Sequence, residues 1–182
     1  MTTAEGRASA ATALPDLALW HEVNQFYIRE ARLLDDLDFH AWVEIFTDDC
    51  VYWAPIVSNR VGRETGQELT KPGELAHFEE DKTSLTNRAK RLDSGRAWAE
   101  TPPGRTRHFI TNVEVEGDVQ ATGLRTRSSF LLWRSHLETD QEIFSGFRRD
   151  ELKRTEQGLR IARREVILDH AVLTQKSLGV FF

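Results

Sequence analysis

LRTRSSFLLWRSHL (residues 124–137), IFSGFRRDELK (143–153) and LRIARREVILDHAVL (159–173) decide the fold of this chain. Each has the length and the β-branched and aromatic content of a long strand. Their separators, Glu138-Thr139-Asp140 and Thr155-Glu156-Gln157-Gly158, are rich in turn formers and suit hairpins. Upstream, Arg107 to Val115 alternates as well, with Phe109, Thr111, Val113 and Val115 expected on one face. The second half of the chain is therefore expected to be an antiparallel meander. Two segments break the apolar-in, polar-out rule of a one-sided sheet: Phe130-Leu131-Leu132-Trp133 and Val166-Ile167-Leu168 are apolar on both faces. Either the chain's own loops cover the second face or a partner does.

Towards the N-terminus the period changes. Trp20, Val23, Tyr27, Ala31 and Leu34 recur at three- and four-residue steps, one stripe of an amphipathic helix with Asp16 as candidate N-cap. Phe39, Trp42, Val43 and Phe46 predict a short second helix capped by Asp38 and ended by a Thr47-Asp48-Asp49 turn. Val51 to Pro55 reads as a strand stopped by proline. Residues 58–74 read as a loop, and 75–92 as a helix stopped at Gly95. Helices first and a meander afterwards give an α+β fold, with the helices on one face of the sheet. Residues 1–15 are expected to be a flexible tail, and 16–182 a single domain.

The bulk numbers exclude several classes. The net charge is −5, with 24 basic and 29 acidic residues, which does not fit a nucleic-acid binder. The arginines between Arg88 and Arg164 alternate with acids and read as a salt-bridged surface. With one cysteine, Cys50, no intrachain disulfide can form. Neither a signal peptide nor a membrane span is evident, so a cytoplasmic protein is expected, without membrane or nucleic-acid partners.

No strong catalytic motif stands in the chain, and no catalytic or metal-ligating set is nominated. Even a Rieske centre needs two cysteines beside two histidines. Among the six histidines none are spaced i, i+3 or i, i+4 on a helix. His108, His136 and His170, on expected strands, read as ordinary sheet residues. A metal site built on them would need Asp150 or Asp169 besides. Asp35-Asp36-Asp38 and Asp48-Asp49 read as solvated caps. Tyr27 and Tyr52 read as core rings with bonded hydroxyls. Trp98, beside Pro102-Pro103, either anchors an interface or folds back on its own domain. The apolar end, Leu178 to Phe182, is expected to dock in its own core or in a neighbour.

A collinear series of segments carries a resemblance across residues 17–182. Phe26-Tyr27-Ile28-Arg29-Glu30-Ala31-Arg32-Leu33-Leu34-Asp35-Asp36, Trp42, Thr47-Asp48-Asp49 and Val51-Tyr52-Trp53-Ala54-Pro55 open it. Asn87 to Leu92, Ala97-Trp98-Ala99-Glu100, Pro102-Pro103, Arg105-Thr106-Arg107-His108 and Asn112-Val113 continue it, and Arg163 to Asp169 closes it. The whole resembles the small (beta) subunits of aromatic-ring-hydroxylating dioxygenases, those of biphenyl, cumene and benzene type in particular. Gly104 departs from the serine expected in close relatives.

The resemblance implies a curved mixed β-sheet wrapped around N-terminal helices, the cone of nuclear transport factor 2 and cystatin-like folds. It implies an oxidoreductase in which this chain is structural and non-catalytic, one of three small subunits in an α3β3 hexamer with three large ones. The large subunit would carry the Rieske 2Fe-2S cluster and the mononuclear Fe(II). It would cis-dihydroxylate aromatic hydrocarbons with O2 and with NADH electrons delivered through a reductase and ferredoxin. Trp98, Arg105 and Arg107 are the expected subunit-interface residues. Two other readings stand beside it. One is a stand-alone dehydratase or isomerase of the same fold, with Asp49, Tyr52 and His108 in the cone. The other is a free-standing ligand-binding module.

Overall fold

The computed structural model describes residues 16–57, 69–94, 102–117, 123–138, 140–170 and 179–182. Helix α1 (Leu17–Asp35) begins where the Asp16 carboxylate accepts the N–H groups of Ala18 and Leu19 at 2.8 and 3.1 Å. Asp38 caps the short α2 (Phe39–Val43) through the Ala41 N–H. The buried stripe of α1 is Leu19, Val23, Tyr27, Glu30 and Leu34. Trp20, expected in that stripe, lies at its rim, with its indole N–H bonded to the Val113 carbonyl.

Six strands form one curved sheet in the order β2-β1-β6-β5-β4-β3. They are β1 (Phe46–Pro55), β2 (Ala76–Glu80), β3 (Arg105–Glu116), β4 (Gly123–His136), β5 (Asp140–Thr155) and β6 (Gly158–Leu168). Strands β3 to β6 are the expected meander. The sheet is mixed, as the resemblance implied, because β1 pairs with β6 in parallel.

Two boundaries differ from expectation. Phe46 to Asp49 already belongs to β1, so the turn after α2 falls at Glu44-Ile45 and not at Thr47-Asp48-Asp49. The expected helix over 75–92 divides into β2 and α3 (Lys82–Asp93), because Asp81 adopts an extended conformation and caps α3 through the Ser84 N–H at 2.7 Å. Gly95 lies outside the described residues.

Bulges set which residues face the core. In β3, Asn112 has φ +50° and the pairing with β4 shifts between Thr111 and Glu114. Val113 and Val115 therefore turn inward while Phe109 and Thr111 face out, correcting the expected single face. Between β5 and β6 the register shifts at Glu151/Leu152. The inward residues of β6 accordingly change from Leu159 and Ile161 to Arg164, Val166 and Leu168. Gly146 permits the close approach of β6, since a Cβ there would stand 2.1 Å from the Ile167 carbonyl oxygen.

Candidate subunit interface and the filled cone

The concave face of the sheet and the helices enclose an interior that the chain fills itself. Gly179–Phe182 enters it. Phe181 stacks on Trp42 with ring centroids 4.2 Å apart, and Phe182 lies 5.5 Å from Phe130 and 5.4 Å from Phe144. The Tyr52 hydroxyl accepts the Phe182 N–H at 3.0 Å and donates to the Phe182 carbonyl at 3.2 Å. The Arg88 guanidinium stands 4.1 Å from the Phe78 ring and 4.3 Å from Phe181, and it donates to Glu80 and to the Val180 carbonyl. The expectation that the apolar end docks is met within its own core.

Beneath this plug lies a buried ionic cluster. Arg164 donates to both Asp150 oxygens, at 2.9 and 2.7 Å, to both Glu30 oxygens, and to the Phe182 carbonyl at 3.0 Å. Arg148 donates to Glu30 at 3.1 Å and stands 4.9 Å from the Tyr27 ring. Tyr27 donates to Asp150 at 2.8 Å, which leaves the Thr126 hydroxyl to donate to Tyr27. The Trp42 indole N–H completes Glu30 at 3.1 Å. Two arginines and two acids thus neutralise each other away from water, the condition on which buried charge is tolerated. Burial pulls the Glu30 carboxyl upward, but Arg148 and Arg164 outweigh it and hold it at about 2. Burial drives Tyr52 up to about 12. The expected salt-bridged surface is corrected here. Arg148 and Arg164 are core residues, while Arg149 and Arg154 do form surface pairs with Glu165 and Glu22.

Asp49, Tyr52 and His108 are not brought together. Asp49 is exposed and accepts Lys153 at 2.9 Å, which lowers its carboxyl from the usual range, the reverse of what a proton-holding acid needs. The Tyr52 hydroxyl is committed to Phe182. His108 is clamped between Asp35 at 2.7 Å and the Phe181 carbonyl at 3.1 Å. His136 bonds the Pro102 carbonyl instead, and His170 packs its ring against Phe144. No three His, Cys, Asp or Glu side chains stand together as a metal site among the described residues. Asp35 is not the solvated cap expected of it: nearly buried, it also accepts the His108 backbone N–H at 3.1 Å and so occupies the free edge of β3.

The convex face differs. Across β3, β4 and β5 the register sets Phe109 beside Leu131, and Trp133 between Arg107 and Ile143. Phe109, Leu131 and Ile143 are 54, 40 and 55% exposed. Below them the Arg127 and Arg149 guanidiniums lie over the Phe147 ring, at 4.5 and 5.2 Å from its centroid. The two readings of the two-sided strands separate here. Ile167 is covered within the chain, whereas Leu131 is open to solvent. Arg105 and Arg107 border this stripe from the β3 edge, and Arg107 also reaches Asp35 at 3.4 Å. Trp98 lies outside the described residues. Sequence reasoning found the stripe through its double-sided alternation, but had no signal for the buried cluster.

Comparison with known proteins gives the context. The model of the ring hydroxylating beta subunit family matches residues 29–175. The beta subunit of biphenyl 2,3-dioxygenase from Rhodococcus jostii (strain RHA1) is 35% identical, over all of both chains. The beta subunit of benzene 1,2-dioxygenase from Pseudomonas putida is 36% identical, over 90% of this chain and 89% of that one. Among solved structures, naphthalene 1,2-dioxygenase with indole bound in the active site superposes with a TM-score of 0.82 at 27% identity, covering 94% of this chain and 89% of the other. A cone closed by its own residues, an open apolar stripe and these matches agree, and the chain belongs to the ring hydroxylating beta subunit family.

Proposed function

We propose that this chain is the structural, non-catalytic small subunit of a multicomponent Rieske non-haem iron dioxygenase. The whole enzyme would cis-dihydroxylate aromatic hydrocarbons of biphenyl or alkylbenzene type, using O2 and NADH-derived electrons passed through reductase and ferredoxin. The observation that carries the reading is the contrast between the two faces of the sheet. The interior is occupied by Phe181, Phe182 and the Glu30–Arg164 cluster, while the outward side chains of β3 to β5 form an apolar stripe suited to a partner.

The chain's own residues do not fit either iron centre. It holds a single cysteine, which is buried, and burial lifts its thiol to about 11, away from the thiolate that ligates iron. His108, His136 and His170 are engaged at separate places. Both centres are accordingly assigned to the large subunit, in a cytoplasmic α3β3 hexamer in which small subunits also meet one another. Arg105, Arg107 and Trp98 are assigned to the subunit interface. The exposure of the two arginines beside the stripe supports this.

Purification of the tagged chain from its native host, with native mass and iron content measured, tests the reading. A red-brown partner in equal number that carries all the iron supports it. A colourless, partner-free dimer rejects it.

A further inference from the structure

We infer that His108 is a proton-dependent latch on the seal of the cone. With both ring nitrogens protonated it ties the end of α1 to the Gly179–Phe182 segment, and on losing one proton it lets that segment loosen.

The ring has no other way to make both of its bonds. Its Nδ1 stands 2.7 Å from an Asp35 carboxylate oxygen, and its Nε2 stands 3.1 Å from the Phe181 carbonyl oxygen. A carboxylate and a carbonyl only accept, so each ring nitrogen must donate, and a neutral imidazole has a single N–H to give. The His108 and Asp35 side chains are 4 and 7% exposed, so water does little to replace either bond. When the ring gives up a proton, the one it keeps stays on Nδ1, since a bare Nδ1 would face the carboxylate at 2.7 Å. The Nε2 lone pair then faces the Phe181 carbonyl, and attraction turns to repulsion. The bond is therefore whole at low pH and lost as pH rises through deprotonation of the ring.

The charges around the ring leave it this role. Asp35 is the nearest, and the His108 backbone N–H holds it in place in either state. Arg107 reaches Asp35 at 3.4 Å, while Arg32 and Asp36 of α1 are exposed beside it. On the far side, Arg134 of β4 pairs with Glu142, and Asp93 of α3 pairs with His40. His40, the other imidazole in this set, serves as the control. The neighbouring carbonyls are held by groups that keep their protons near neutrality. Arg88 holds that of Val180, and Arg164 and Tyr52 hold that of Phe182. Loss of the His108 bond thus frees one peptide unit, the Phe181 carbonyl with the Phe182 N–H, whose other side is bonded to the Tyr52 hydroxyl at 3.0 Å.

That N–H is the reporter. Its hydrogen exchange in the full 15N-labelled chain, corrected for the intrinsic rise with alkali, is followed by NMR from about pH 5.5 to about pH 9, which spans the ordinary charge change of histidine. The nitrogen shifts of the His108 ring are read at each step. Protection of Phe182 is expected to fall about tenfold, the worth of one charge-assisted hydrogen bond, where Nε2 loses its proton, while the amides of β4 and β5 hold steady. His108→Gln, which cannot donate at both ends, should show the low protection at every pH, and His40→Gln should keep the step. A flat profile for Phe182 overturns the proposal, whichever state the ring adopts. So does a step that survives His108→Gln, that disappears with His40→Gln, or that runs the other way. Should the glutamine at 108 prevent folding, the parent chain decides alone: ring and amide must change at the same pH, and separate midpoints overturn the latch.

Discussion

At Glu30, the side chains of Arg148, Arg164 and Trp42 donate to one carboxylate sealed from water. Its carboxyl sits at about 2 when folded, against an ordinary 4.5. A depressed acid contributes stability that is whole above its unfolded value and lost as pH falls towards its folded one. The loss should therefore run from about pH 4.5 down to about pH 2, and amount to something on the order of 3 kcal/mol. Urea midpoints taken across that interval check it; Glu30→Gln should remove this part of the slope. Arg164→Met leaves two buried carboxylates short of a partner and should cost about 3–5 kcal/mol in the same assay. The two tyrosines give a spectroscopic test. Burial raises Tyr52 to about 12 and lifts Tyr27 well above its ordinary value, so the ultraviolet absorbance of tyrosinate should not rise until alkali unfolds the chain. The residue scale was the least legible in the sequence. Arg163 and Arg164 are neighbours of the same type, and only the register shift beside Ala162 decides which one enters the core. Alternating arginines and acids look the same whether they face water or each other.

Among the elements, β3 shows how an exposed edge is managed. Asp35 accepts the His108 N–H, and Trp20 donates to the Val113 carbonyl, so α1 occupies hydrogen-bonding positions that a stray strand could otherwise take. Asp35→Ala should destabilise the chain by about 1–3 kcal/mol and speed amide exchange along β3 ahead of β4 and β5, as read by hydrogen exchange. Strands β3 to β6 were legible because a helix, with its period of 3.6, cannot produce period-two alternation bounded by turn formers. The split of 75–92 was not, since Leu75, Phe78, Leu85 and Leu92 also satisfy a helical stripe. The signal that could have found it was Asp81 followed three residues later by Ser84, a capping position inside the supposed helix. The Asn112 bulge was hidden for a similar reason. A positive φ at one asparagine shifts the face of every later residue without altering composition.

Over the whole molecule, the two faces of one sheet have different destinations, and a substitution can separate them. Leu131→Asp places a charge in the outward stripe without touching the interior. It should keep the far-UV spectrum and thermal midpoint close to the parent while abolishing co-purification with the large partner. That the sheet is mixed came from the resemblance alone; which strands pair in parallel was not legible, for no local pattern tells that residues 46–55 and 158–168 are neighbours. The plug has a kinetic meaning as well. Tyr52 and Phe182 close the core together across 130 residues of chain, and Glu30 meets Arg164 across 134. Loop closure must precede any reward from such contacts, so folding belongs in the slow range, about milliseconds to seconds. Until Phe182 arrives, Arg164 and Glu30 lack their lid, and a nascent chain at that stage exposes the surfaces that chaperones recognise.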